Sequence, residues 1–167
     1  MIDERGISRE HRAELLKERV YITFTALAVV LALRSHHPTA DEAAVTLLIA
    51  VTGTLLAVFV ADVVSHIAVH AALPMRSELR QMLRVVFGAL GSLLLPFVFL
   101  ALAAGEVWKV EAALRASTIA LVSALIAIGY GAVRRVRLPL WQKLIVLFAE
   151  FALGAAVVAV ELLAHGA

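Results

Sequence analysis

The chain has 167 residues, of which 62% are hydrophobic and 17% charged, with a formal net charge of +2 at pH 7. That apolar share lies above, and the charged share below, those of ordinary soluble domains, so a water-soluble fold of this length could not hide its apolar surface. Cysteine is absent, which excludes disulfides, thiolate metal sites and thiol nucleophiles.

The first 19 residues, MIDERGISREHRAELLKER, mix both charge signs and precede an apolar run that continues past the length of a signal-peptide core. They read as a retained cytoplasmic amphipathic helix over 1–19, with Leu15 and Leu16 at the membrane surface. Five apolar blocks follow, at Val20–Leu33, Ala43–Leu73, Met82–Ala104, Ala112–Val133 and Leu144–Ala164. A hydrocarbon core of about 30 Å takes roughly 20 helical residues to cross. The expected fold is therefore all-α, a polytopic integral membrane bundle of about five transmembrane helices forming one domain over 20–167. The first block is short unless Arg19 and Arg34 snorkel. The second would reach about 46 Å as a helix, so it must tilt or project.

Connections are brief. Pro38, Pro74 and Pro139 fall in three of them, whereas Pro96 lies inside the third span and should kink it. Trp108 and Trp141 mark span edges, where indoles favour the interface. Twelve Lys and Arg fall on the side of the N-terminal segment and the second and fourth connections. Only Arg34, Lys109 and Arg115 fall on the other. The positive-inside rule then places the N-terminus in the cytoplasm and His165-Gly166-Ala167 outside. With 12 Arg against 3 Lys and abundant Ala, Val and Leu, the composition suits a GC-rich bacterium and its cytoplasmic membrane.

Ionisable side chains inside lipid are costly and mark function or pairing. Glu150 lies about two turns past Lys143 and precedes FALGAAVVAV, which makes it a candidate proton or cation site or a carboxyl bonded to a neighbouring helix. Asp62, His66 and His70 follow one another at i, i+4 spacing and so share a helical face. Imidazole with carboxylate suits a divalent transition metal or a proton relay. Three ligands on one helix are too far apart in height to hold a single ion. If the helix begins at Ala43, Asp62 falls at the inner interface and both histidines reach the cytosol as ordinary juxtamembrane residues.

Arg115 has Glu111 four residues earlier and Glu161 near the outer end of the fifth span, which suggests an Arg115–Glu161 structural ion pair. His36 and His37 beside Asp41 and Glu42 form a candidate metal or pH-sensing cluster. Thr23, Thr25, Thr46, Thr52 and Thr54 suit hydrogen bonding within or between spans. Gly88 with Ser92, Ala127 with Gly131, and Gly154 among alanines permit close helix approach. The sequences H-E-x-x-H, G-x-S-x-G and G-x-x-x-x-G-K are missing, so no enzyme, cofactor or nucleic-acid role is expected.

Arg19 followed by VYITFTALAV, then FVADVVSHIAVH, then SLLLPFVFLALAAGE with Pro96 and Phe97, together resemble segments of the bacterial and endolysosomal potassium-channel family with the R-x-x-x-F-S-D signature. Phe24, Thr25 and Ala26 stand where that signature has Phe-Ser-Asp, and five blocks stand where the family has six spans. The resemblance implies a pore built around a symmetry axis from apolar side chains of the first helix, here Leu27, Val30 and Leu31, with Thr25 at the signature. The leading expectation is a homo-oligomeric channel or transporter for a monovalent cation, potassium or proton, with Glu150 and Asp62 as its polar elements. The alternatives are a non-transporting scaffold or subunit with a basic cytoplasmic face, and a divalent-metal transporter using Asp62, His66 and Glu150.

Overall fold

The computed structural model describes residues 9–134 together with helical positions 141, 144, 145, 148, 152, 155 and 159. Every regular element among them is helical: α1 Arg9–His36, α2 Ala40–His70, α3 Arg76–Ala89, a 3-10 turn at Leu90–Leu93, α4 Leu94–Ala104 and α5 Val110–Arg134. The short links between them make successive helical passes antiparallel. We call the end bearing the start of α1 and the α2–α3 link basal, and the end bearing the α1–α2 and α4–α5 links apical.

Helix α1 runs through residue 19 without a break, so the amphipathic segment and the first apolar block are one helix. Leu15 does not lie free on a surface: its side chain is the nearest neighbour of Gly88 on α3, where an added Cβ would sit 3.6 Å from it. The segment PMRSELRQ, expected as a connection, is mostly helix, because α3 begins at Arg76. Its start is fixed by the Met75 N–H donating to the Glu78 carboxylate at 2.7 Å, an acid three residues into a run of good helix formers.

The third apolar block does break near Pro96, but as a 3-10 turn just before it. Proline cannot donate to the carbonyl four residues back, Ser92, and its ring crowds that carbonyl. The ladder accordingly tightens over Leu90–Leu93. Arg19 of α1 reaches this break and donates through Nε to the Gly88 carbonyl at 3.3 Å.

Three helices end on a left-handed residue, and none is glycine: His37 after α1, Ala71 after α2 and Glu106 after α4, with φ of 46°, 49° and 58°. The α1–α2 link then uses Pro38 and a capping box, in which the Glu42 N–H donates to Thr39 Oγ1 and the Thr39 N–H donates to the Glu42 carboxylate at 2.9 Å. Glu42 is thus committed to the helix start rather than to His36 and His37.

α1 is the hub of the bundle, packing against α2, α3 and α5. Ile22, Ala26, Leu27 and Val30 are fully buried against Ala43, Leu47 and Val51 of α2, Leu93 and Leu100 near α4, and Leu114, Leu121 and Leu125 of α5. Outside this core, apolar side chains face outward. Among the described residues, two helices, α2 and residues Val110–Ala132 of α5, are long and apolar enough to cross a membrane. Only 17% of the most apolar stretch of α2 is buried, and 33% of that of α5. α2 buries Ala40, Ala43, Leu47 and Val51 and exposes Leu48, Ile49, Leu56, Val60 and Val64.

Candidate functional site

The buried stripe of α1 recurs every three to four residues through Ile22, Ala26, Val30 and Leu33. Carried one turn toward the basal end, the same stripe passes through Glu18, which is 2% exposed. Its carboxylate lies 3.4 Å from the exposed Lys17 ammonium. A glutamate this deeply enclosed needs charge or hydrogen-bond partners, because burial strips its hydration.

On α2 the core-facing stripe, Ala40, Ala43, Leu47 and Val51, leads by the same periodicity to the half-buried Thr54, Val58 and Asp62. Asp62 is half-buried there, within electrostatic reach of Lys17 on α1. One turn further, His66 packs its imidazole against His70, ring centroids 4.4 Å apart and 21° from parallel. His70 Nδ1 lies 3.2 Å from the His66 carbonyl. A carbonyl only accepts, so that hydrogen bond requires a proton on Nδ1. On its other side, His66 Nε2 sits 3.6 Å from the Glu78 carboxylate, the same group that caps α3. The contact is an ion pair only when the imidazole is protonated.

The basal ends of α1, α2 and α3 therefore carry Lys17 beside Glu18, His66 between His70 and Glu78, and Asp62 one turn before His66. Acids and bases alternate across three helices, an arrangement suited to holding a cation or passing a proton. Among the described residues, no three His, Asp or Glu side chains converge to hold a metal ion, and Glu150, the expected companion of Asp62 and His66, lies outside them. Asp62, His66 and His70 are spread along about 12 Å of helix axis at 1.5 Å per residue, and His66 turns to Glu78 rather than toward a shared point. The same holds for His36, His37, Asp41 and Glu42 at the apical link.

No family of known proteins has a model that matches this chain, and no characterised protein or solved structure matches it. The site therefore stands on its own geometry.

The remaining expected residues separate clearly. Leu27, Val30 and Leu31 point into the chain's own core, enclosed by its other helices, and leave no apolar first-helix surface of those three for a symmetry axis. Thr25 is half-buried. Thr23 donates to the Arg19 carbonyl at 2.6 Å and Ser117 to that of Ala113 at 2.8 Å. Both buried hydroxyls are satisfied within their own helices. Thr54 does likewise with the Ala50 carbonyl. Arg115 is exposed near the apical end of α5. Glu150 and Glu161 lie outside the described residues, as does Gly154. Gly131 has open space around it, so it is not a helix contact among the described residues.

The sequence reading missed Glu18, Lys17 and Glu78 as site members. Their signals were present. Glu18 lies four residues before Ile22 on the apolar period, and Glu78 is three residues after a helix start.

Proposed function

We propose that the chain is a multi-pass protein of the bacterial cytoplasmic membrane, with five spans and a cytoplasmic N-terminus, that oligomerises to conduct or transport a monovalent cation or proton. The observation that carries the membrane reading is α2: a helix of 31 residues whose apolar side chains face outward on all sides but one. Water would penalise that surface heavily, whereas lipid does not. Of the described Lys and Arg residues, Arg34, Lys109 and Arg115 belong to the apical half and all others to the basal half, which supports a cytoplasmic basal end.

The basal cluster supports the cation role. Its carboxylates lie where a helix face leaves the apolar core, the position at which a permeating cation would exchange water for protein oxygens. The route itself would run between copies rather than through one chain. Gly53, Ala57 and Ala61 form a smooth exposed track on α2, with nothing within 4 Å of where a Gly53 side chain would begin. Small residues at this spacing let a second helix approach closely. This departs from the first-helix pore that the potassium-channel resemblance implies.

A second reading, a non-transporting membrane subunit, is favoured by the dry core, since Thr23 and Ser117 spend their hydroxyls on their own backbones. Ion flux into liposomes containing the purified protein decides between them. Potassium, sodium and proton gradients are compared, with Asp62→Asn and Glu150→Gln alongside. Selective flux that falls in the variants supports transport; no flux from folded, inserted protein leaves the subunit reading.

A further inference from the structure

At the apical end, Trp108 stacks on Phe99 of α4, ring centroids 5.5 Å apart and 17° from parallel. Trp108, with Val107, forms one wall of an open groove of about 500 Å³. The floor is one face of α5, where Ala112, Ala116 and Ile119 recur at i, i+4, i+7. Two cations stand over it, Lys109 just before α5 and Arg115 one turn in. Neither forms an ion pair with another described residue, and Glu106 and Glu111, the acids nearest in sequence, do not line the groove.

Each part of this arrangement has a counterpart in one kind of molecule. Lys109 and Arg115 suit a phosphate, a multidentate oxyanion that guanidinium and ammonium groups bind well. The alanines and Ile119 form an apolar strip that begins between the two cations at Ala112 and runs on toward the bundle's mid-height. An indole at the mouth suits the boundary between headgroups and hydrocarbon. A free anion would leave the strip unused, and a neutral lipid would bring no counter-charge to two cations that have none among the described residues.

We infer that this groove is a binding site for one anionic phospholipid, its phosphate between Lys109 and Arg115 and an acyl chain along Ala112, Ala116 and Ile119. The inference rests on the membrane reading above. It adds a specific lipid contact at the apical face, remote from the basal cluster.

The test uses the full chain with Trp141→Phe, which leaves Trp108 as the single tryptophan. The protein is reconstituted in vesicles of phosphatidylcholine in which either brominated phosphatidylglycerol or brominated phosphatidylcholine replaces part of the lipid, and Trp108 quenching is compared at equal bromine content. One basic group near an anionic lipid is worth a factor of about five, so two predict a preference for phosphatidylglycerol of roughly 25-fold. Lys109→Gln with Arg115→Gln should bring the ratio close to one, while Lys109→Arg should keep it. Equal quenching by both lipids in the parent protein, or a preference that survives the double substitution, would overturn the inference and leave the membrane reading intact. Displacement by inorganic phosphate at millimolar concentration would overturn the lipid assignment. Quenching by neither lipid would place Trp108 outside the bilayer and sink the membrane reading with it.

Discussion

Replacing Leu56 by Asp distinguishes lipid from water as the solvent of this bundle. Leu56 lies near the middle of α2 and is 61% exposed, so Asp there breaks no internal packing. In water such a surface change would shift stability by no more than about 0.5 kcal/mol. At the centre of a bilayer, Leu favours insertion by about 0.5 kcal/mol and Asp opposes it by about 3, a swing of roughly 3–4 kcal/mol. Leu27→Ala is the companion, since Leu27 is fully buried between helices. It removes van der Waals contacts and leaves a cavity, worth about 2–5 kcal/mol in protein interiors generally. Leu56→Ala exchanges one lipid contact for another and should cost little. Unfolding free energies measured in bicelles should therefore rank Leu56→Asp and Leu27→Ala together, with Leu56→Ala far below both. If Leu56→Asp matched Leu56→Ala, or released the protein from membranes in soluble folded form, the outward-facing apolar surface of α2 would not be lipid-facing.

Other residues carry separate expectations. Gly53→Leu should weaken self-association on the exposed α2 track several-fold by cross-linking in detergent, because a bulky side chain keeps the two backbones apart, while leaving the monomer folded. Thr39→Ala removes the α2 capping box and should cost about 1 kcal/mol, read by the same bicelle unfolding. Ala71→Gly relieves a left-handed alanine and should stabilise by up to about 1 kcal/mol. A His66/Glu78 double-mutant cycle should show coupling of roughly 0.5–1 kcal/mol across the 3.6 Å contact, read by the same bicelle unfolding. Additive losses in the cycle would mean that the two side chains do not interact.

What the sequence revealed and what it hid follow from the range of the interactions involved. α2 and α5 were legible to within a few residues, because a long apolar run bounded by a capping box at Thr39–Glu42, or by Lys109 and Arg134, is a local signal. The 3-10 break before Pro96 was legible as a kink for the same reason. The direction of α1 was not. An apolar helix presents similar side chains all round, so the burial of Leu27, Val30 and Leu31 depends on helices that meet it from elsewhere in the chain. Glu18 carried a competing pair of signals: it lies on the apolar period four residues before Ile22, yet stands in a charged run that looks solvated, and tertiary packing decides for burial. Asp62 and His66 were found by spacing, yet their partners Lys17 and Glu78 lie on α1 and α3, beyond the reach of any single-helix pattern.

The native chain has no cysteine, so single cysteines can report which side of a membrane each helix end occupies. Ser35→Cys and Glu106→Cys mark the two apical links, and Ser77→Cys marks the basal start of α3. The account predicts that a membrane-impermeant maleimide labels the first two on intact cells and the third only after permeabilisation. Labelling of Ser77→Cys on intact cells, or equal labelling of all three, would contradict it.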